Sequence, residues 1–485
     1  MQLVKAIVHQ ARRSAQDPAI AFGGGVASFG SLMGSVAAAV EVLRTLGIQP
    51  GALVVLDIRN PIHHTAMIYA LALLGIRSAS VGTAYVTQQA GPRPTLFLTD
   101  RDDLADSELP IRKVDARWFA FDETKPVDYA ALEALPGFPD PDDVVRHVYS
   151  SGTTGRPKCV ALTNRSLELR VAHTQLSLHQ RVLSGAALNM MGFSTIAGIM
   201  APILAHTVGA LLCFSSSYAD ALNMVRLFNI SAISGAVVQI QGILKALGNA
   251  APPPSLRCVS VGGSKLPLRT LTEIRSRLAS YVFGGYGSTE IGGLTMATGA
   301  DFERHEGAAG YVLPWAEVET VDDAGRPLPR GAEGVIRARS PELAFYVDEQ
   351  GRPAETTQDG WFYPGDFGRI EPDGLVIVTG RTGDIINRGG VIVAPELIEE
   401  VLRLDPAVTD VAVVGVANAA GIDEIWAAIV SPAPLDGERL IRAARQKLNE
   451  RVPDRLFQID AVPRNENGKV MRNVLREELR RRLQP

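Results

Sequence analysis

Cysteine is scarce in this chain of 485 residues, which has only Cys159, Cys213 and Cys258, far apart from one another. Three widely spaced thiols exclude a disulfide framework and a cysteine-based metal knuckle. They favour a reducing compartment, and we expect a cytoplasmic protein. The 8 histidines show no ligand spacing either, so histidine gives no sign of a metal site.

A surplus of charge of one sign is also missing. The chain has 48 Lys and Arg residues against 52 Asp and Glu residues, a net charge of -4. Such a balance gives no reason to expect nucleic acid or an acidic membrane surface as a partner. The first residues lack the long apolar segment of a signal peptide and are typical of an amphipathic first helix.

One hydrophobic stretch is long enough to suggest a membrane span, because Val182 to Ala219 contains no charged residue. Pro202, His206 and several glycines interrupt it. These interruptions favour a buried helix followed by a strand over Val208–Phe214. We therefore expect no membrane span.

The chain is 46% hydrophobic, with 46 Gly and 30 Pro, which is typical of a globular enzyme too long for a single core. Short apolar strands alternate with helices, as in Leu53–Ile58 followed by His63–Leu74, and this alternation indicates α/β layering. After about Gly380 the pattern changes to that of a smaller α+β domain. The predicted fold is therefore a large multi-sheet α/β domain over residues 1–380 and a smaller α+β domain over residues 381–485.

A loop rich in hydroxyls and glycine is the strongest chemical signal. Its candidate phosphate ligands are Ser150, Ser151, Gly152, Thr153, Thr154, Gly155 and Lys158. Backbone N–H groups and hydroxyls bind phosphate oxygens, and a lysine adds positive charge. The loop is not a Walker A motif, because Lys158 leads into another apolar strand and a helix starts only near Asn164. We predict a phosphate loop of a different kind rather than a flexible surface hairpin.

This loop resembles the signature of the adenylate-forming superfamily, which includes acyl-CoA synthetases, carrier-protein-loading adenylation enzymes and luciferases. Other segments resemble that family's motifs in the same order along nearly the whole chain. They are Asp17-Pro18-Ala19-Ile20, Gly51 with Arg59-Asn60-Pro61, Val261-Gly262-Gly263-Ser264, Tyr286-Gly287-Ser288-Thr289-Glu290, Trp361-Phe362-Tyr363-Pro364-Gly365-Asp366, Gly380-Arg381-Thr382-Gly383-Asp384 and Asn467-Gly468-Lys469.

The resemblance implies an ATP site that combines the phosphate loop with further residues. These are Gly262, Gly263, Ser264, Tyr286, Gly287, Ser288, Asp366 and Arg381. Tyr286 is expected to lie against the adenine ring, Asp366 to accept hydrogen bonds from the ribose hydroxyls, and Arg381 to reach ribose and phosphate. On local sequence alone, a core tyrosine and a turn aspartate are the alternatives.

Catalysis is implied for Thr289, Glu290 and Lys469. Thr289 is expected to bind the α-phosphate, and Glu290 to hold Mg²⁺, which prefers carboxylate oxygen and keeps phosphates and waters as its other ligands. Lys469, in the small domain, is expected to bridge the substrate carboxylate and the α-phosphate. A solvated turn lysine is the alternative.

The resemblance also implies that the small domain rotates between two half-reactions. Gly383 is the expected hinge, where the family commonly has Asp or Lys, and glycine accepts almost any backbone conformation. Rotation would withdraw Lys469 and bring the face of Gly389 and Gly390 toward the site, which would open a passage for a thiol.

The segment from Met191 to Gly198 resembles the family's acyl-pocket motif. The candidate pocket residues are Met191, Phe193, Ser194, Thr195, Val237 and Val238. Ser194 stands where amino-acid-activating relatives have the Asp that binds the α-amine, and Thr195 stands where many CoA ligases have a gating His. We therefore expect a plain carboxylic acid with an aliphatic or aryl tail, and not an α-amino acid.

The predicted function is that of an AMP-forming acyl-CoA synthetase, which uses MgATP to convert a carboxylic acid into an acyl-adenylate and then transfers the acyl group to CoA. Two alternatives stay open: an enzyme that loads a carrier-protein phosphopantetheine, and a non-catalytic nucleotide-binding relative. Arg451, Arg455 and Arg472 are candidates for the nucleotide end of CoA. A homodimer is one expected assembly.

Overall fold

The computed structural model describes residues 2–81, 91–102, 110–150, 158–177, 185–305, 307–384, 386–388, 391–418, 423–448, 451–464 and 468–483. Several predicted site residues lie outside these ranges, namely Ser151, Gly152, Thr153, Thr154, Gly155, Gly389 and Gly390. For Ser150 the backbone is described and the side chain is not.

The helices surround the sheets of the large unit and complete the small one. They are α1 Gln2–Arg13, α2 Phe29–Thr45, α3 Pro61–Leu73, α4 Tyr129–Glu133, α5 Asn164–Ser177, α6 Ile196–Thr207, α7 Tyr218–Leu227, α8 Val237–Leu247, α9 Leu268–Arg277, α10 Gly299–Arg304, α11 Pro395–Arg403, α12 Gly437–Leu448 and α13 Arg472–Leu483, with a short 3-10 helix over Ala116–Phe119.

The strands are mostly short. They are β1 Pro18–Phe22, β2 Gly25–Ser28, β3 Leu53–Asp57, β4 Arg77–Ser80, β5 Leu96–Thr99, β6 Ile111–Lys113, β7 Val144–Ser150, β8 Lys158–Thr163, β9 Ala187–Asn189, β10 Leu212–Cys213, β11 Ala232–Ala236, β12 Cys258–Gly262, β13 Tyr281–Gly284, β14 Gly287–Ser288, β15 Gly292–Gly293, β16 Thr295–Thr298, β17 Ala308–Val312, β18 Glu317–Val321, β19 Gly334–Arg339, β20 Phe345–Val347, β21 Pro353–Ala354, β22 Asp366–Ile370, β23 Leu375–Arg381, β24 Ile386–Arg388, β25 Val391–Val393, β26 Asp410–Ala417, β27 Asp423–Val430 and β28 Arg455–Gln458.

The larger sheet has 13 strands in the order β18-β19-β22-β23-β17-β16-β13-β12-β11-β9-β10-β1-β2. From β13 to β1 the neighbouring strands all run parallel. Parallel strands end at the same edge of a sheet, and ligands of α/β proteins bind beyond that edge. The turns after β9, β10, β11, β12 and β13 therefore meet along one line, and most of the predicted site residues lie there.

A second sheet has 8 strands in the order β21-β20-β8-β7-β4-β3-β5-β6. The predicted phosphate loop connects β7 to β8, which pair as antiparallel neighbours. The loop is therefore the connection of a hairpin, and α5 begins only at Asn164, after β8. This order differs from the strand–loop–helix of a Walker A motif, as predicted.

Local sequence explains why α3 begins where it does. Asn60 caps the helix, and its side-chain oxygen accepts hydrogen bonds from Ile62 N at 2.9 Å and His63 N at 3.2 Å. Pro61 occupies the first turn, where its missing N–H has no helical partner to lose. Nearly all later residues of α3 are buried, as expected for a helix that is apolar on every face.

The small unit has its own sheet, in the order β26-β27-β28. Two apolar clusters cover the opposite faces of that sheet, one under α11 and α12 and the other under α13. The last strand of the large sheet ends at Arg381, and β24 begins at Ile386. The predicted boundary between residues 380 and 381 stays a prediction, and it falls at the end of that strand.

The charge-free stretch folds as the buried helix α6 and the short strand β10. The predicted strand over Val208–Phe214 is longer than the observed one, because Gly209 adopts a φ of +74° and Ala210 N still bonds to Ala205 O at 2.9 Å. Among the described helices, none combines the length and the apolar character that a membrane span requires.

Candidate active site

The turn after β12 presents bare backbone at the edge of the large sheet. Gly263 has a φ of +79°, and a Cβ built on Gly262 or Gly263 meets no atom within 4 Å. Ser264 follows on the surface. A flat group such as a purine has room to lie directly on this backbone, which fits the predicted adenine-side turn.

Tyr286, Asp366 and Arg381 form a connected cluster beside that turn. The Tyr286 hydroxyl donates to Asp366 Oδ2 at 2.7 Å, and Arg381 Nε lies 2.8 Å from Asp366 Oδ1. Burial raises the pKa of both Tyr286 and Asp366. The protein itself already engages both oxygens of Asp366, so a ribose at this position would share the carboxylate with Arg381 and Tyr286.

Lys469 reaches this cluster from the small unit. Burial lowers the pKa of its ammonium, with the nearby positive charge of Arg381 as the next cause, while Asp366 and Asp384 act in the opposite direction. The charges of Lys469 and Asp366 act on each other's pKa values. The two units are in contact, because Gly468, the residue before Lys469, packs on Val238 of the large unit. The structure thus brings three predicted residues, from β22, β23 and the loop before α13, into one place.

Glu290 is held by residues of the second sheet. Its carboxylate oxygen Oε1 accepts a hydrogen bond from the Tyr346 hydroxyl at 3.1 Å, and only 8% of the residue is exposed. The Lys158 ammonium lies 4.5 Å from the centre of the Tyr346 ring. Arg170 fixes the backbone by donating to Glu290 O at 3.1 Å. The predicted metal ligand and the last residue of the predicted phosphate loop are therefore linked through Tyr346.

The residues before Glu290 offer a hydrogen-bond donor toward a ligand. Gly287 and Ser288 form the short strand β14, and Thr289 follows half-buried. Ser288 Oγ is buried and has no hydrogen-bond partner among the residues that the structure describes. A buried hydroxyl without a partner is costly unless a ligand completes it, and a phosphate oxygen would do so.

The same part of the chain fits a magnesium ion bound mainly through nucleotide phosphates. Within the described ranges no group of three or more His, Cys, Asp or Glu side chains is arranged to hold a metal. One carboxylate, that of Glu290, together with phosphate oxygens and water, is the ligand set that Mg²⁺ commonly takes.

The predicted acyl-pocket residues do not all line one cavity. Met191 and Phe193 line a cleft of about 620 Å³ at the ends of β9 and β10. Thr195 has a structural task, because it caps α6 by accepting from Gly198 N at 3.0 Å and donating to Gly192 O at 2.9 Å. Ser194 lies half-buried between Phe193 and this cap.

The two valines of α8 differ from each other. Val237 is buried in the core beneath α8, whereas Val238 is 39% exposed. A Cβ built on Gly468, whose φ is +75°, would lie 2.6 Å from Val238 Cγ1. Val238 therefore contacts the loop that carries Lys469, and the lysine loop lies at the end of β11.

Three residues near the site were not predicted. Tyr346 binds Glu290, His64 stacks on Phe193 with ring centres 4.2 Å apart, and Gln239 donates to Met190 O at 2.6 Å. Gln239 also accepts from Ala236 N at 2.8 Å, which caps the start of α8. A glutamine at the third position of a helix that follows a strand could therefore have been predicted from the sequence as a capping residue. Tyr346 and His64 belong to no motif and gave no such signal.

One of the three candidate cations for CoA is not on the surface. Arg472 is 7% exposed and lies 2.7 Å from Glu396 Oε1 and 2.8 Å from Glu399 Oε1. Its guanidinium is needed for these buried ion pairs, so the expectation that Arg472 meets the nucleotide end of CoA is wrong. Arg451 and Arg455 are exposed.

Two family models and many curated proteins match this chain. The sequence profile of the family described as "AMP-binding enzyme" matches residues 7–345, and that of the "AMP-binding enzyme C-terminal domain" matches residues 397–469. A 2-succinylbenzoate–CoA ligase of Bacillus cereus is 26% identical over 466 residues, which are 93% of each chain.

Solved structures are similar over almost the full length. The o-succinylbenzoate CoA synthetase of Bacillus subtilis, in complex with its acyl-adenylate intermediate, superimposes with a TM-score of 0.83 at 22% identity and covers 97% of each chain. The amide bond synthetase McbA of Marinactinospora thermotolerans gives a TM-score of 0.84 at 23% identity over 98% of this chain and 99% of its own. The predicted α/β fold with a smaller second unit is confirmed.

Proposed function

The chain belongs to the family of AMP-binding enzymes, and we propose that it joins a carboxylic acid to the thiol of CoA through an acyl-adenylate. The matches to the family models and to the named ligases confirm two predictions made from the sequence. These are the family resemblance and the reaction class, an AMP-forming ligase that uses ATP. The acid, the acceptor and the role of each site residue are part of the proposal.

The observation that carries the proposal is the pair of Arg381 and Asp366, whose Nε and Oδ1 atoms lie 2.8 Å apart and whose charges both act on the pKa of Lys469. An acid carboxylate and an ATP α-phosphate repel each other, and two cations placed between them lower that cost. In the proposed first step a carboxylate oxygen attacks the α-phosphorus and the bond to the β-phosphate bridge breaks. Pyrophosphate leaves and the mixed anhydride stays.

Positioning does most of the work in such a step, because the enzyme supplies no covalent nucleophile. Thr289 and the Ser288 hydroxyl would donate to the α-phosphate, and the phosphate loop with Lys158 would hold the leaving group. Glu290, fixed by Tyr346, would hold the magnesium ion, whose charge neutralises the phosphate oxygens.

CoA is the proposed acceptor because the relatives that match over 93% of the chain are named as CoA ligases. In the second step the thiol sulfur attacks the acyl carbonyl and AMP leaves. Rotation at Gly383 would withdraw Lys469 first and bring Gly389 and Gly390 toward the site. A carrier-protein phosphopantetheine carries the same thiol and is the second candidate.

The test is pyrophosphate release over a panel of acids, followed by transfer to CoA or to a holo carrier protein. We expect pyrophosphate release from ATP to be faster with plain acids than with α-amino acids, because the neutral Ser194 hydroxyl cannot pair with an ammonium group. The panel should include 2-succinylbenzoate, the acid in the names of several relatives. Faster turnover of an α-amino acid would refute the acid class, and transfer only to the carrier protein would refute CoA as acceptor.

We also propose that the enzyme works in the cytoplasm, which the three free and buried cysteines support. A homodimer stays a prediction, and size-exclusion chromatography with light scattering would test it.

A further inference from the structure

Two neighbouring histidines near the start of α3 each stack flat on a phenylalanine. His63 lies on Phe119, with ring centres 4.2 Å apart and ring planes inclined by 9°. His64 lies on Phe193, with ring centres also 4.2 Å apart and ring planes inclined by 7°. Phe193 lines the cleft at the ends of β9 and β10, and Phe119 is not among the described residues of its lining. The two stacks thus have the same geometry, and only that of His64 reaches the cleft.

Hydrogen bonds on both ring nitrogens fix the orientation of His64. Its Nδ1 lies 2.7 Å from Ile58 O, and its Nε2 lies 2.7 Å from Ser80 Oγ. A carbonyl oxygen only accepts, so Nδ1 carries the proton and Nε2 accepts from the Ser80 hydroxyl. The residue is almost closed to water, so the imidazole cannot turn without the uncompensated loss of both bonds.

A buried arginine holds the Ser80 hydroxyl in this arrangement. Arg146 Nη2 donates to Ser80 Oγ, and Arg146 Nη1 donates to Ser78 Oγ at 2.8 Å. A guanidinium cannot accept, so the Ser80 proton remains available for His64 Nε2. Arg146, Ser80 and His64 are each no more than 3% exposed. A buried chain of hydrogen bonds therefore runs from β7 through the end of β4 to the ring that stacks on Phe193.

Phe193 lies in a turn, where a side chain depends on its neighbours for a fixed position. Residues 190–195 connect β9 to α6, and Phe193 is half-buried among them. Phe214, which also lines the cleft, lies 5.4 Å from Phe193 between ring centres. The His64 ring covers one face of Phe193, so the plane of the Phe193 ring, and with it the wall of the cleft, depends on the buried network.

The cleft also adjoins the lysine loop. Gln239 lines the cleft and donates to Met190 O at 2.6 Å, where the turn after β9 begins. Val238, the residue before Gln239, contacts Gly468. Neighbouring residues of α8 thus border the cleft and the lysine loop, which supports the cleft as the site for the body of an acid activated at Lys469.

We propose that His64 is a positioning residue of the acid cleft, because its neutral ring, held by Ser80 and Ile58 O, fixes the Phe193 ring against which the acid binds. His64 itself touches no substrate and acts through Phe193. This inference rests on the proposed acid-activating function, and it adds to that function a buried residue that determines how well each acid fits.

The main test removes the His64 ring and measures the KM for the acid and the KM for ATP separately. The assay is pyrophosphate release from ATP over the acid panel, with 2-succinylbenzoate, benzoate and octanoate as the first probes. His64→Leu should raise the KM for each activated acid about three- to tenfold, the effect of losing one aromatic pair. It should leave kcat and the KM for ATP nearly unchanged.

His63→Leu is the matched control, because it removes a stack of the same geometry from the same helix. It should leave the KM for each acid at the wild-type value, since Phe119 is not among the described residues of the cleft lining.

A second variant separates the position of Phe193 from the stability of the fold. His64→Phe keeps a flat ring on Phe193, whereas Ile58 O and Ser80 Oγ lose their partner, so its Tm should fall. Its KM for the acid should nevertheless lie closer to the wild-type value than that of His64→Leu, and its KM for ATP should not change.

A double substitution tests whether His64 acts through Phe193. Phe193→Leu alone should raise the KM for the acid. If His64 acts only through that ring, the addition of His64→Leu to Phe193→Leu should not raise the KM further.

The outcomes distinguish this inference from the proposed function. An unchanged acid KM in folded His64→Leu, an equal rise in His63→Leu, or a further rise in the double variant would overturn the inference and leave the acid-activating function intact. Equal rises of the KM values for acid and ATP in His64→Phe would overturn it as well. Pyrophosphate release with none of the panel acids would overturn both proposals.

Discussion

At the scale of single residues, the site holds several charges where little water reaches them. Lys469 shows what this costs, because burial lowers the pKa of its ammonium below the usual range. Arg381 adds repulsion, and Asp366 and Asp384 offset it. An ammonium kept charged by such a balance has little solvent to rearrange during the reaction, so its full field acts on the groups that approach it.

Removal of that charge should affect one half-reaction only. Lys469→Ala should slow acyl-adenylate formation by ~10²–10³, the usual effect of deleting one preorganised electrostatic donor, or ~2.7–4 kcal/mol. The variant should retain most of its transfer rate when it receives pre-made acyl-adenylate and CoA, since the proposed rotation would have withdrawn Lys469 by then. The two rates are measured on one purified protein.

Lys447→Ala is the matched control, because Lys447 is an exposed lysine in the same unit. Equal losses of both half-reactions in folded Lys469→Ala would exclude the proposed division of labour. No loss at all would identify Lys469 as an ordinary turn lysine.

Residues within contiguous motifs were accessible to sequence reasoning, and residues joined by long-range pairing were not. Thr289 and Glu290 follow each other in one short segment, so a local pattern predicts both. Tyr346 lies on β20, which pairs with β8 although the two strands are far apart in the sequence. This pairing brings Tyr346 to Glu290. Val237 and Val238 are neighbours in sequence, yet Val237 packs in the core and Val238 contacts the lysine loop. The residue at which α8 begins determines which of the two valines is buried.

At the scale of elements, the turn between β23 and β24 connects the two units. Thr382 fixes its start, with the backbone N and the side-chain Oγ1 both donating to Gly365 O, at 2.9 and 3.0 Å. Asp384 N closes the turn on Arg381 O at 3.0 Å. Gly383 lies exposed between them, so backbone rotation at this residue would displace little packed structure.

Contacts between described residues of the two units would have to break if the small unit rotated about this turn, and three of them are clear. Lys265, beside the turn after β12, pairs with Glu400 of α11. The start of α11 packs on Gly380, where an added Cβ would meet Ala394 Cβ at 3.1 Å. Val238 contacts Gly468. All three are small, as the proposed rotation of the small unit would require.

Restriction of the turn should therefore separate the half-reactions. Gly383→Pro fixes φ near −65° and removes an N–H, and we expect it to slow one half-reaction more than the other by about tenfold or more. Gly383→Ala is the control, because it keeps the N–H and a wide range of φ, and it should retain both rates. Equal losses in the proline variant, or none, would place the hinge elsewhere.

At the scale of the whole molecule, three buried histidines are kept neutral by the fold. Burial lowers the pKa of His64 to about 3, that of His147 to about 3 and that of His206 to about 4. Two of them have partners that fix the neutral ring, as His64 lies 2.7 Å from both Ile58 O and Ser80 Oγ. His147 Nδ1 has no hydrogen-bond partner among the described residues.

These groups predict the direction of the pH dependence of stability. An unfolded histidine binds its proton near pH ~6.5, whereas the three folded ones do not until pH about 3 to 4. The unfolded state thus holds more protons in between, so this contribution is complete above pH ~6.5 and is lost as the pH falls toward ~4. Asp366 and Glu396, whose pKa values are raised by burial, act in the opposite direction.

A single substitution isolates the effect from those carboxyl groups. His147→Leu removes a buried proton acceptor without a partner, so the Tm of the variant should equal or exceed that of the wild type at pH ~8. The advantage should grow by about 2 kcal/mol of unfolding free energy at pH ~5, because each unit of pKa shift contributes ~1.4 kcal/mol. His9→Gln, at an exposed histidine, should show a difference from wild type that does not change with pH. If the His147→Leu difference is also constant between those two pH values, the native state admits the proton at His147, and burial does not hold that imidazole neutral.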